Sequence, residues 1–247
     1  MITTVELRPL VAQSLRLKPI IGVVRTAAVA EAARQARALA DAGIELIEVT
    51  FTVPGAAGLV RQLLAERRGP QDRGGPPWIG MGTVTNAARA AEALEAGAEF
   101  LVSPNVDAAV AQAARQAQRF LVLGALTATE IVAAHALGAD VVKVYPLPPV
   151  GGPAYLSIVR QPLGDIPMLA AGGFGIDDIP AYRQAGASAF GIGYPLLAGP
   201  ESAGQTVINH RIARALRLAA GGHGGGSAAA GGTGQTAGPA HSGEERE

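Results

Sequence analysis

An Ala-rich amphipathic segment ending in a glycine, with an apolar run beginning one or two residues later, recurs along this chain. It appears as Ala42-Gly43-Ile44, Ala96-Gly97-Ala98, Leu137-Gly138-Ala139 and Ala185-Gly186-Ala187. Glycine in that place suits the left-handed residue that stops a helix. The apolar run behind it then reads as a buried strand. Repeated helix–Gly–strand units require parallel strands joined by helical crossovers, which leaves few architectures open.

After an N-terminal helix over roughly 5–16, the pattern predicts strands near 19–25, 44–52, 78–83, 99–103, 119–124, 140–145, 166–171 and 188–192. Helices fill the gaps, near 27–41, 56–67, 86–96, 107–117, 127–137, 152–160, 176–185 and 202–219. Thr127 with Glu130 forms a capping box, and Asp107 is a good N-cap. Strict alternation of this kind points to an α/β fold of the (β/α)8 TIM barrel type, for which 247 residues is a common length. An open doubly wound sheet would carry a Gly-rich dinucleotide loop after its first strand. Here that position reads Val23-Val24-Arg25-Thr26. Residues 1–218 are expected to form one barrel domain that includes the N-terminal helix. Residues 219–247, rich in Gly and Ala, bury too little apolar surface to offset their ordering entropy and are expected to be a disordered tail.

With 20 basic and 20 acidic residues, the formal charge is zero, which gives no electrostatic case for nucleic acid or an anionic membrane. The chain has no cysteine, so disulfides, thiolate metal sites and Cys nucleophiles are excluded. His135, His210, His223 and His241 lack ligand spacing, so no protein metal site and no cofactor is expected, although a carboxylate-held Mg²⁺ stays open. His135 reads as a surface or packing residue. Neither a signal peptide nor a membrane-length apolar run is visible, and the expectation is a cytoplasmic protein acting on a small molecule.

In a barrel, chemistry collects at the C-terminal ends of the strands. The sixth strand carries Lys143, one of two lysines in the chain; the other is Lys18, and the remaining cations are arginine. Lysine, unlike arginine, can lose its proton and become a nucleophilic amine. On the second strand Ile47, Val49 and Phe51 should face the helices, while Glu48, Thr50 and Thr52 should face the interior with Lys143. Two accounts of Glu48 and Lys143 stand side by side: a buried ion pair kept for packing, or an acid–base and nucleophilic pair. The turns at Gly172-Gly173 and Gly191-Ile192-Gly193 lie where barrels often hold a phosphate, and also read as plain tight turns. Trp78 and the prolines around it read as marking a loop that enters strand three.

These segments resemble a known family. PIIGVVRT from Pro19, IELIEVTFTVPGA from Ile44, IGMGTVTNA from Ile79, LVSPN from Leu101, LTATE from Leu126 and GADVVKVYP from Gly138 are similar to the 2-keto-3-deoxy-6-phosphogluconate (KDPG) aldolases. That group includes the 4-hydroxy-2-oxoglutarate (KHG) and phosphogalactonate aldolases, and the resemblance covers about residues 5–218. It implies a class I, metal-free aldol cleavage that yields pyruvate, carried out by a compact homotrimer. Lys143 would be the Schiff-base lysine and Glu48 the general acid/base. Arg25, Thr52 and Thr83 would hold the pyruvate carboxylate or neighbouring oxygens, and Gly172, Gly173 and Gly193 the far end of the substrate. The chain departs from the family's pattern at Thr52, where many relatives carry arginine, at Ala170-Ala171 before the glycine pair, and at Tyr194 in place of serine. These departures leave phosphorylated and unphosphorylated aldehyde partners both open. From other classes, a barrel that binds or assembles without catalysis would not be modified by borohydride with pyruvate. An isomerase-type barrel using Glu48 alone would keep activity without the Lys143 amine.

Overall fold

The computed structural model of the chain describes residues 6–67, 75–198 and 204–221. Strands β1 (Ile20–Val24), β2 (Leu46–Thr50), β3 (Trp78–Gly82), β4 (Phe100–Val102), β5 (Phe120–Ala125), β6 (Val141–Val144), β7 (Met168–Ala171) and β8 (Ala189–Ile192) close in sequence order into one parallel barrel. The helices are α1 (Leu7–Leu17), α2 (Val29–Asp41), α3 (Ala56–Arg67), α4 (Ala87–Glu95), α5 (Ala108–Gln116), α6 (Ala128–Ala136), α7 (Gly152–Arg160), α8 (Ile179–Gln184), α9 (Tyr194–Leu197) and α10 (Gln205–Ala220). The (β/α)8 architecture expected from the alternation is therefore present. Helix α10 runs to Ala220, past the expected domain edge at residue 218, and the expected tail lies outside the described residues from 222 onward.

Local chemistry accounts for the punctuation. Gly43, Gly97, Gly138 and Gly186 all follow a helix with φ between +87° and +97°, a conformation that penalises any residue with a Cβ. The Asp107 carboxylate accepts the Val110 N–H at 2.8 Å and starts α5. Thr127 and Glu130 form the expected capping box on α6. Hydrogen bonds from the Thr127 and Leu126 backbone N–H groups hold the Glu130 carboxyl below its ordinary range. Short α9 was not anticipated: four residues are too few for a periodic signal.

Two apolar layers hold the barrel. Outward-facing Ile47, Val49, Met81, Leu101, Leu123 and Val142 pack against the helices. Inward-facing Ile21, Leu46, Trp78, Phe100, Phe120, Val141 and Leu169 fill the floor, together with Val11 and Leu15 of α1. Helix α1 thus plugs the N-terminal end. Trp78 is not a loop marker: it is the first residue of β3, fully buried in that floor, with its indole N–H donating to Ser14 Oγ at 2.8 Å. The plug closes one end and leaves the other for chemistry.

A charged cluster braces the same end. Glu99 is 2% exposed and accepts from Arg67 at 2.5 and 2.7 Å and from the Ile79 N–H at 2.9 Å. Arg67 also donates to the Pro77 carbonyl, and its guanidinium carbon lies 5.6 Å from the Trp78 ring centroid. Removing one partner of a buried pair strands the other charge. Arg67→Ala is expected to cost about 3–5 kcal/mol in urea unfolding, while a change within a few tenths would show the pair to be idle.

Candidate active site

β2 and β6 are four strands apart in an eight-stranded ring, so they face each other across the barrel. Only long side chains from such strands can meet at the axis. Glu48 and Lys143 do so: Lys143 Nζ lies 3.9 Å from Glu48 Oε2, with the residues 8% and 2% exposed. The alternation argument for β2 holds at Glu48 and Thr50, both buried inside the ring. Thr52 lies beyond the strand and is exposed.

Glycines make the room. A Cβ at Gly82 would overlap the Glu48 carboxylate, so this position of β3 must stay bare for Glu48 to lie inward. Gly124, the register partner of Lys143 on β5, leaves its space to the Pro104 backbone. Thr83 follows Gly82 with φ +61°, a left-handed conformation that is costly for a β-branched residue. Its hydroxyl has no protein partner among the described residues, and neither does the Arg25 guanidinium at the end of β1.

The pair is electrostatically incomplete. Glu48 Oε1 is buried and has no hydrogen-bond partner, which leaves an acceptor turned into the ring with nothing to accept from. At 3.9 Å the contact with Lys143 is an ion pair and not a hydrogen bond. The Tyr145 ring centroid sits 5.5 Å from Lys143 Nζ, so the amine also faces a π surface.

A cavity of about 350 Å³ opens at the C-terminal end of the barrel, with Lys143 in its wall. Of the residues singled out from sequence, Lys143, Arg25, Gly172, Gly173, Gly191 and Gly193 line it. Gly172 and Gly173 have φ of +132° and +92°, and a Cβ on Gly172 would press on the Leu147 N–H and the Pro146–Pro148 turn. Glu48, Thr52 and Thr83 are not in its wall; Glu48 lies deeper in the ring against Lys143, and the two threonines sit at the ends of β2 and β3. Val23, Gln35 and Pro195 line the cavity without having been anticipated; Tyr145 lies there at the end of the lysine-bearing strand, and Ala171 and Tyr194 were noted only as departures from the family's pattern. Gln35 comes from α2, and no strand-end argument could find it. Tyr194 is 76% exposed, with its hydroxyl unbonded to any described residue. Among the described residues, no group of three or more His, Asp or Glu side chains is arranged to hold a metal ion. His135 is exposed on α6, as expected.

Comparison with known proteins identifies the family. The KDPG and KHG aldolase family matches residues 11–202. The chain is 31% identical to a probable 2-dehydro-3-deoxy-6-phosphogalactonate aldolase of Rhizobium meliloti, over 76% of this chain and 85% of that protein. It is 31% identical to the 2-dehydro-3-deoxy-phosphogluconate aldolase of Treponema pallidum, over 69% of this chain and 78% of that one. A solved 4-hydroxy-2-oxoglutarate/2-dehydro-3-deoxyphosphogluconate aldolase superposes with a TM-score of 0.71 at 26% identity, covering 84% of this chain and 98% of the other. Matched over residues 11–202 and folded as a closed (β/α)8 barrel, this chain belongs to the KDPG and KHG aldolase family.

Proposed function

We propose that this aldolase works through a Schiff base on Lys143 and cleaves a 2-keto-3-deoxy acid to pyruvate and an aldehyde. The observation that carries the reading is the meeting of Lys143 and Glu48 across the barrel at 3.9 Å, with one carboxylate oxygen buried and left unpartnered. The neutral amine attacks the C2 ketone, and loss of water gives a protonated imine. Glu48, directly or through one water, takes the proton of the C4 hydroxyl. The C3–C4 bond breaks, the aldehyde leaves, and the electron pair passes into the imine to give an enamine. Glu48 returns a proton to C3, which becomes the methyl group of pyruvate, and hydrolysis frees the lysine.

The free Arg25 guanidinium, with the Thr83 hydroxyl, is assigned the pyruvate carboxylate. Gly172, Gly173 and Gly193 are assigned the far end of the substrate, where backbone can approach closely because side chains are missing. KDPG, giving glyceraldehyde 3-phosphate, is the first substrate proposed, with KHG, giving glyoxylate, the second. A second reading, the phosphogalactonate acid, has the named activity of the Rhizobium meliloti relative in its favour. A homotrimer in the cytoplasm is the proposed setting, on the family resemblance. Pyruvate release, followed with lactate dehydrogenase across phosphorylated and unphosphorylated keto-deoxy acids, tests the assignment. KDPG is expected to give the highest kcat/KM, and no pyruvate from any of them would defeat it.

A further inference from the structure

The two threonines at the top of β2 share one hydrogen bond whose direction is fixed by a third group. Thr50 Oγ1 lies 3.1 Å from the Val24 carbonyl oxygen and 2.7 Å from Thr52 Oγ1. A carbonyl can only accept, so the single hydroxyl proton of Thr50 goes to Val24. Thr50 is fully buried, so both contacts of its hydroxyl are with protein. The proton between the two hydroxyls therefore belongs to Thr52. With that proton committed inward, exposed Thr52 offers the barrel mouth lone pairs and no donor.

An acceptor-only oxygen repels a carboxylate and welcomes a hydroxyl. We infer that Thr52 is a specificity residue that accepts a hydrogen bond from a hydroxyl on the aldehyde half of the substrate, and does not hold the pyruvate carboxylate. This rests on the pyruvate-aldolase reading above. It sets apart two jobs: donors such as Arg25 take the anionic end, while Thr52 senses whether the other half carries a hydroxyl beside the carbonyl. A residue that accepts a hydrogen bond from a hydroxyl discriminates against an analogue lacking it by the net value of that bond.

The test uses the full chain in the synthetic direction, with pyruvate and one of two aldehydes differing by that hydroxyl: glyceraldehyde and 3-hydroxypropanal. In Thr52→Val, which keeps the shape and removes the oxygen, the preference for glyceraldehyde is expected to fall about tenfold. Trapping of pyruvate by borohydride should stay within about twofold of the unsubstituted enzyme, since pyruvate has no hydroxyl. Thr52→Ser should keep the preference. An unchanged aldehyde ratio in Thr52→Val, or a loss of pyruvate trapping as large as the loss of aldol addition, would overturn the inference alone. Failure of the unsubstituted enzyme to be trapped would overturn the aldolase reading and this one with it.

Discussion

Lys143→Arg is expected to yield a folded barrel that releases no measurable pyruvate, with turnover down roughly 10⁴-fold or more, the scale on which removing a covalent nucleophile acts. Arginine keeps the positive charge and can still face Glu48, so the electrostatic part of the pair survives. What it lacks is an amine that loses its proton and attacks a ketone. The substitution therefore separates the two accounts that composition leaves standing. A pair kept for packing tolerates Arg with a modest change in stability and none in chemistry. Circular dichroism and a urea midpoint close to the unsubstituted protein, with activity gone, place the effect on the reaction. Near-normal turnover in Lys143→Arg would remove the imine from the mechanism.

Glu48→Gln should act differently. The side chain keeps its size, so it still fits the space that Gly82 leaves open, but it loses the proton-carrying oxygen. General acid–base groups contribute about 10²–10⁴-fold, and kcat is expected to fall within that range. Imine formation with pyruvate should persist, because the amine is untouched. A burst of trapped pyruvate with slow turnover is the signature. Should Glu48→Gln lose trapping as completely as Lys143→Arg does, the carboxylate would be serving to hold the lysine in place and not to move protons.

Much of this was legible in the sequence because its signals are local. Glycine after each Ala-rich helix reports a left-handed residue, and alternation along β2 reports which side chains face inward. Lys143 stood out for being lysine in a chain of arginines, and Glu48 for lying on the apolar strand's inner face. What stayed hidden depends on distance in the chain. Gln35 reaches the cavity from the body of α2, away from every strand end. Arg67 and Glu99 are 32 residues apart and lie on different elements, so no periodicity joins them. Trp78 looked like loop punctuation because two prolines precede it, yet the plug formed by α1 turned it into floor. The Thr50–Thr52 hydrogen bond was invisible for another reason: spacing says that both face the same way, but the direction of a proton requires the carbonyl across on β1.

The central claim is that one amine becomes covalently attached to pyruvate. Incubation of the full chain with pyruvate and borohydride, followed by peptide mass spectrometry, examines it without any assumption about the aldehyde. The chain offers two lysines, and Lys18 is paired with Glu45 at 3.0 Å near the start of β1, at the opposite end of the barrel. A reduced pyruvate adduct on the peptide containing Lys143, absent without pyruvate, is the predicted result. No adduct, or one carried by Lys18 alone, would contradict the account.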